Sequence, residues 1–174
     1  MKTTPRHNEI SANIDGAIRA GDFESVPLAS GRQIAYVDWY AKLLTTLTLV
    51  VGESSIVYSQ TDYSVDAGTV RFVLLTEQIV VVIDGAGLQD QEPQICTRVI
   101  GRKSLVSFDP TASMRLDQAG TKSYLWPGDV QIAARYTGLS EPLLFTSAGS
   151  DADRSEHPGP ALGLLKALLE DLGR

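Results

Sequence analysis

The chain has 174 residues, of which 43% are hydrophobic, and this size and composition predict one globular domain with extensions and a sizeable core. Its formal net charge of -6 disfavours general binding to nucleic acid, because that binding depends on neutralising phosphates with lysine and arginine. The same charge balance disfavours binding to an anionic membrane surface.

The single cysteine and the polar N-terminus limit the possible sites and the cellular compartment. Because Cys96 is the only cysteine, an internal disulfide and a metal site built from thiolates are excluded, and we expect it to be a small buried side chain. The N-terminal residues carry no apolar run behind their basic residues, and no segment is long and apolar enough to span a bilayer. The sequence therefore predicts a cytoplasmic protein.

Two amphipathic helices are predicted ahead of the sheet. The first is capped by Asn8 and ends at Gly21, and together with a linker it forms a predicted N-terminal segment, residues 1–31. The second begins at Arg32, and its end near Gly52 stays open because the β-branched residues before that glycine favour an extended last turn.

Residues 32–174 are predicted to form a single α+β domain around the most apolar stretch of the chain, residues 70–84. This stretch predicts two strands buried on both faces and joined by a turn at Glu77 and Gln78. About seven strands are predicted, at 56–60, 70–76, 79–84, 94–100, 104–108, 130–136 and 143–146, with weaker candidates at 114–116 and 124–126. The segments between them are predicted to be an acidic loop at 62–68, a turn from Gly85, a bend at Gly101 and an end at Pro110.

A leucine-rich helix is predicted at 161–172, after a polar connection at 148–160. Its main apolar stripe is predicted to be Leu162, Leu165, Leu169 and Leu172, widened by Leu164 and Leu168. We expect the stripe to pack on the domain's own sheet, and pairing with a second copy remains an alternative.

Two segments carry a resemblance to a known family. Residues 72–82 consist of an apolar run, a turn of threonine, acid and amide, and a second apolar run, and residues 96–109 continue the strand pattern. This pattern resembles bacterial pleckstrin-homology-like (PH-like) domains over about residues 54–172. The resemblance implies a bent antiparallel sheet or a partly open barrel capped by the C-terminal helix, with the two N-terminal helices as an addition. It also implies a binding or self-association module and no enzymatic activity.

The resemblance does not extend to the lipid-binding members of that family, whose first strand loop supplies bases that hold phosphate. The corresponding loop here contains Asp62 and Asp66 and no base. Phosphoinositide binding is therefore not expected.

No set of acid, base and nucleophile stands out, so we predict no catalytic residue, no cofactor and no metal site. Asp84, Asp90, Glu92 and Asp109 lack the spacing of a ligand loop, and Gly85 and Gly87 lack the third glycine of a dinucleotide loop. The candidates for an interaction surface are two aromatic residues and one local basic cluster. The alternative for the aromatic residues is burial in the core, and the alternative for the basic cluster is a solvated strand face. These candidates are Trp39, Trp126, Arg98, Arg102 and Lys103.

Two function classes follow from these features. The first is a non-enzymatic interaction or scaffold domain that self-associates or binds a protein partner, which the leucine-rich helices favour. The second is a small acidic dimeric chaperone-like regulator that holds a client polypeptide, which the acidic composition and the N-terminal helix pair favour. Both predict a homo-oligomer.

Overall fold

The computed structural model describes residues 5–19, 38–64, 66–88, 93–112, 130–147 and 160–173. These residues form three α-helices and seven strands, all of whose pairings are antiparallel, and this confirms the predicted α+β class. In chain order they are α1 (Pro5–Arg19), α2 (Asp38–Val51), β1 (Ile56–Ser64), β2 (Thr69–Thr76), β3 (Ile79–Ala86), β4 (Gln94–Gly101), β5 (Leu105–Ala112), β6 (Val130–Tyr136), β7 (Leu143–Ser147) and α3 (Pro160–Leu172). A short 3-10 turn, Arg102–Ser104, follows β4.

The chain divides into two compact units, Met1–Gly101 and Arg102–Arg174. The predicted boundary between residues 31 and 32 lies outside the described residues, so the division into an N-terminal segment and one domain stays a prediction.

The first unit contains a four-stranded sheet in the order β1-β2-β3-β4, with α1 and α2 packed against one of its faces. The core between the helices and the sheet includes Leu47 from α2, Phe72 from β2 and Ile83 from β3, each fully buried. On the other face, Val73 of β2 and Val82 of β3 are also buried. The prediction of a central hairpin buried on both faces is therefore confirmed.

Side chains of β1 fix the position of α1. The hydroxyls of Ser59 and Thr61 donate to the carbonyls of Ala17 and Ile18, at 3.0 and 2.9 Å, in the last turn of α1. Carbonyls in a last turn have no partner within the helix, so these two bonds cap α1 and attach it to the sheet edge. The helix begins at Pro5, earlier than predicted, because proline suits a first helical turn. Its predicted end at Gly21 is not among the described residues.

The second helix stays helical through Val51, so of the two possibilities left open for the residues before Gly52 the helical one is correct. The hydroxyls of Thr45, Thr46 and Thr48 each donate to the carbonyl four residues earlier, which places these side chains within the helical pattern. Gly52 then adopts a φ of 57°, a conformation that favours glycine and ends the helix.

Three strand ends lie more than one residue beyond the predicted ones. β1 continues to Ser64, because Asp62 lies directly opposite Arg71 of β2 and the opposite charges suit a cross-strand pair. Gly85 lies within β3 and does not begin the turn. β5 continues through Pro110, which an edge strand tolerates because the missing N–H can face away from the sheet.

The second unit contains a three-stranded sheet in the order β5-β6-β7, on which α3 packs through β5 and β7. β6 alternates between buried and exposed residues as predicted. The buried side of α3 consists of Leu164, Ala167, Leu168 and Asp171.

The predicted main stripe of α3 is wrong. Leu169 and Leu172 are 56% and 45% exposed, and Leu165 is only half-buried. The helix is rotated so that the pair predicted to widen the stripe, Leu164 and Leu168, faces the sheet. The reason is an ion pair made by Asp171, described below.

Candidate functional site

An open groove of about 920 Å³ lies in the first unit, at the end of the sheet where β1 leads into β2 and β3 into β4. All four strands contribute to its lining, through residues 62–64, 69–71, 84–86 and 94–96. The backbone of Leu88, just after β3, donates to the carbonyl of Gly68 at 3.1 Å and so ties together the two turns at this end.

The antiparallel register places a row of functional side chains across the groove. Asp62, Arg71, Asp84 and Cys96 are successive cross-strand partners on the four strands, so their side chains lie on the same face. Arg71 Nε donates to Asp84 Oδ1 at 2.6 Å. Arg98 Nη2 donates to the other oxygen of the same carboxylate, and the three side chains are each 32 to 46% exposed. One carboxylate therefore organises two guanidinium groups.

Arg98 has a donor that this arrangement leaves without an acceptor. Its Nε is buried and has no hydrogen-bond partner among the described residues. Arg98 lies on β4, which is an outer strand of the four-stranded sheet. This donor therefore belongs to a side chain at the sheet edge.

Close packing beneath the groove explains Gly85. A Cβ atom at this position would lie 2.8 Å from Cγ1 of Val70 and 3.1 Å from Cδ1 of Ile95. Real side chains do not approach so closely, so glycine is required for packing, and Gly87, with a φ of 66°, supplies the turn that follows. These roles account for both glycines without a nucleotide.

Two further lining residues differ in exposure. Cys96 is exposed, and the expectation of a small buried side chain is wrong, because its position on the edge strand faces the open groove. Burial raises the pKa of the Tyr63 phenol.

The two arginines of the predicted basic cluster form two separate ion pairs. Arg98 pairs with Asp84 in the first unit, whereas Arg102 is buried in the second unit. Arg102 Nε donates to Asp171 Oδ2 at 2.7 Å, and its Nη2 donates to the carbonyl of Ala167 at 2.9 Å. Arg102 is thus a structural residue that holds α3. Lys103, next in sequence, is exposed.

The two predicted aromatic candidates are less informative. Trp39 is half-buried against the helical core, and its ring meets the ring of Tyr40 edge-on at 5.8 Å between centroids. Trp126 lies outside the described residues. Binding roles for all five candidates, Trp39, Trp126, Arg98, Arg102 and Lys103, stay predictions.

Tyr136 lies near the buried ion pair of the second unit. Its hydroxyl is buried and has no hydrogen-bond partner among the described residues. Burial, reinforced by the carboxylate of Asp171, raises the pKa of this phenol, and the Arg102 guanidinium opposes the rise. A buried hydroxyl that makes no hydrogen bond with the described residues destabilises the folded state.

The sequence contains a signal for the pairing of Arg71 with Asp84. In a hairpin centred on Glu77 and Gln78, residues equally far from the centre face each other, and Arg71 and Asp84 satisfy this condition. By contrast, Arg102 and Asp171 are 69 residues apart, and no local pattern joins them.

Among the described residues, no group of three or more histidine, cysteine, aspartate or glutamate side chains could hold a metal ion. None of the described helices has the length and hydropathy needed to cross a membrane.

No protein-family model and no curated protein matches the sequence. Two solved structures are similar to the chain. One is a DUF1696 family protein with a pleckstrin-homology domain from Shewanella loihica, with 14% identity, a TM-score of 0.41, and coverage of 75% of this chain and 90% of that one. The other is a pleckstrin-homology domain from Shewanella amazonensis, with 16% identity, a TM-score of 0.43, and coverage of 76% and 97%. At these values the likeness says nothing of ligands or activity. Both are bacterial pleckstrin-homology proteins, the family that the sequence pattern resembles.

Proposed function

We propose that the chain is a non-enzymatic interaction domain of PH-like type that binds a protein partner in the groove of its first unit. The observation that carries this proposal is the groove itself, which is open, receives residues from all four strands and ends at an edge strand. Small-ligand sites enclose most of their ligand, whereas an open groove on a sheet suits a polypeptide that remains partly exposed.

The composition of the lining supports a protein partner over a phosphorylated lipid. Apolar groups from Val70 and Ile95 alternate with hydroxyl, amide and charged groups, as in protein interfaces. Asp62 near the end of β1 and Asp66 in the β1–β2 turn are acids that would repel a phosphate group.

The central carboxylate is also unsuited to catalysis. Asp84 accepts hydrogen bonds from two guanidinium groups, so its lone pairs are engaged. A general base needs a carboxylate oxygen that is available to the proton it abstracts. The row across the groove is better suited to hydrogen-bonding a partner.

The proposal can be tested with the native cysteine. A photo-crosslinker attached to Cys96 should capture a specific protein in a lysate of the source organism, and the identified partner should then bind the purified chain. Ala86→Trp fills the groove from an exposed position, and we expect it to weaken binding of the purified partner at least tenfold. The matched control Ser107→Trp adds the same ring to an exposed position of β5.

The proposal fails if the purified partner binds wild-type protein and Ala86→Trp equally, or if no purified protein captured through Cys96 binds. Melting curves establish that both tryptophan variants are folded before binding is compared.

Self-association is a second candidate, favoured by the exposed leucines of α3. Leu169 and Leu172 present apolar side chains to solvent on one side of that helix. Sedimentation velocity should show an oligomer that Leu169→Asp dissociates. A monomer across the measured concentration range would exclude this candidate.

A further inference from the structure

We infer that the outer edge of β4 receives an extended segment of the partner protein as an added strand, with an acidic residue beside Arg98 and an apolar residue beside Val99. This inference rests on the proposed function, because β4 forms one border of the groove. It specifies how the partner is bound and which residues the partner must carry.

Among the described residues, the β4 edge lacks three of the features that can prevent strand addition. Sheet edges are commonly protected by proline, lysine or a bulge. β4 contains neither proline nor lysine, and it pairs with β3 in an unbroken register over all eight residues. The other outer strand of this sheet, β1, has a register shift between Ile56 and Tyr58. Of the two edges, β4 is therefore the regular one.

Side chains on β4 would meet those of an added strand on both faces. Arg98 lies on the groove face, in the same row as Val82 of β3. Val99 points to the opposite face and is 49% exposed. Since neighbouring residues of a strand alternate between faces, two consecutive partner residues can reach Arg98 and Val99, respectively.

The charge at this edge calls for an acidic partner residue. Arg98 shares the carboxylate of Asp84 with Arg71, and its side chain is 41% exposed, so part of its guanidinium is accessible to a partner. A carboxylate beside Arg98 would accept charge-assisted hydrogen bonds from this guanidinium. β4 itself has no acidic residue, so a second copy pairing through the same strand could not supply one. The occupant is therefore a segment of different sequence.

A designed peptide tests this inference before any partner is known. The probe is a fluorescein-labelled ten-residue peptide that alternates threonine and valine around one central glutamate, and its counterpart carries lysine instead. We expect the glutamate peptide to bind at least tenfold more tightly by fluorescence anisotropy. Arg98→Glu should reverse that preference, and the uncharged Arg98→Gln should abolish it.

Val99→Lys introduces a protective lysine at the same edge and should weaken binding of the glutamate peptide at least tenfold. Val57→Lys is the matched control, because Val57 is 39% exposed but lies on β1. Amide chemical shifts in residues 94–101 should change on binding to wild-type protein, and melting curves confirm that each variant is folded.

The inference is overturned if the two peptides bind equally, if Val99→Lys and Val57→Lys have the same effect, or if the shift changes avoid β4. Ala86→Trp separates this inference from the proposed function. If the natural partner is sensitive to Ala86→Trp but not to Val99→Lys, only the added strand is wrong. If it is sensitive to neither variant, the groove is not the binding site.

Discussion

The buried ion pair of the second unit gives the sharpest test of the structure. Replacing Arg102 by methionine keeps the bulk of the side chain but leaves the carboxylate of Asp171, whose side chain is 1% exposed, without its cation. Asp171 would then have to remain charged in an apolar site or take up a proton. Either outcome destabilises the folded state.

The size of the effect can be obtained in two ways. Breaking a buried pair by removing one partner costs about 3–5 kcal/mol. Arg102 also makes two hydrogen bonds, to Asp171 and to the carbonyl of Ala167, and bonds of charged groups contribute about 1.5–3 kcal/mol each. The two routes agree, and the loss is a large part of the roughly 5–15 kcal/mol that stabilises a typical domain.

Urea unfolding measures this loss as a change in the free energy of unfolding, and a double-mutant cycle isolates the pair. Arg102→Met should cost about 3–5 kcal/mol, whereas Arg102→Met with Asp171→Leu should recover most of it, because neither charge is then stranded. Arg135→Met is the control, since Arg135 is exposed on β6 and its loss should stay within about 0.5 kcal/mol. A cost below about 1 kcal/mol for Arg102→Met, or a double variant no more stable than the single one, would refute the buried pair.

Three further predictions follow from burial and close packing. Tyr136→Phe removes a buried hydroxyl without a partner and should be neutral or stabilising in urea unfolding at pH 7. Because the pKa of Tyr136 is raised in the folded state, above pH 10.0 the unfolded chain releases this proton more readily than the folded protein does. The free energy of unfolding of wild-type protein should therefore fall there, relative to that of Tyr136→Phe, by up to about 1.4 kcal/mol per pH unit. An equal pH dependence of the two proteins would contradict this. Leu168→Asp should lower the free energy of unfolding by several kcal/mol and Leu169→Asp by less than about 0.5, and equal losses would contradict the rotation of α3. Gly85→Ala should lower stability by about 1–3 kcal/mol through overpacking, whereas Gly163→Ala, in open space on a helix, should raise it by about 0.5–1; a more stable Gly85→Ala variant would count against the packing beneath the groove.

The parts of the fold that could be predicted are those fixed by local pattern. The apolar runs on either side of Glu77 and Gln78 predict the central hairpin, and the short turn between them fixes its register. The boundaries of other elements depend on contacts that the sequence does not display. Pro110 is compatible with a strand only because β5 is an edge, and the order of strands in the sheet is needed to know this.

One ion pair of the groove is predictable from the sequence, and the other is not. Arg71 and Asp84 face each other by hairpin symmetry, but the arrival of Arg98 from β4 depends on the pairing of β3 with β4. The grouping of Arg98 with Arg102 was misleading for a related reason. Neighbours in sequence separate where a strand ends, and a 3-10 turn begins at Arg102.

The terminal helix shows why leucine content alone cannot specify a buried face. α3 has six leucines in 13 residues, and its two alternative stripes lie about 100° apart around the helix axis. The predicted stripe has four leucines and the buried side has two, so leucine content alone would favour the wrong face. The polar residue decides between them, because Asp171 reaches Arg102 only when Leu164 and Leu168 face inward. The same rotation exposes Leu169.

The ion pair therefore determines which apolar surface the second unit presents to solvent. Replacing both Arg102 and Asp171 by apolar residues should preserve stability but remove the contact that distinguishes the two rotations of α3. We expect the double variant to remain folded and to show two sets of methyl resonances for the α3 leucines, where wild-type protein shows one. A single set in the double variant would mean that packing of the leucines alone fixes the helix, and that the buried pair contributes stability without specificity.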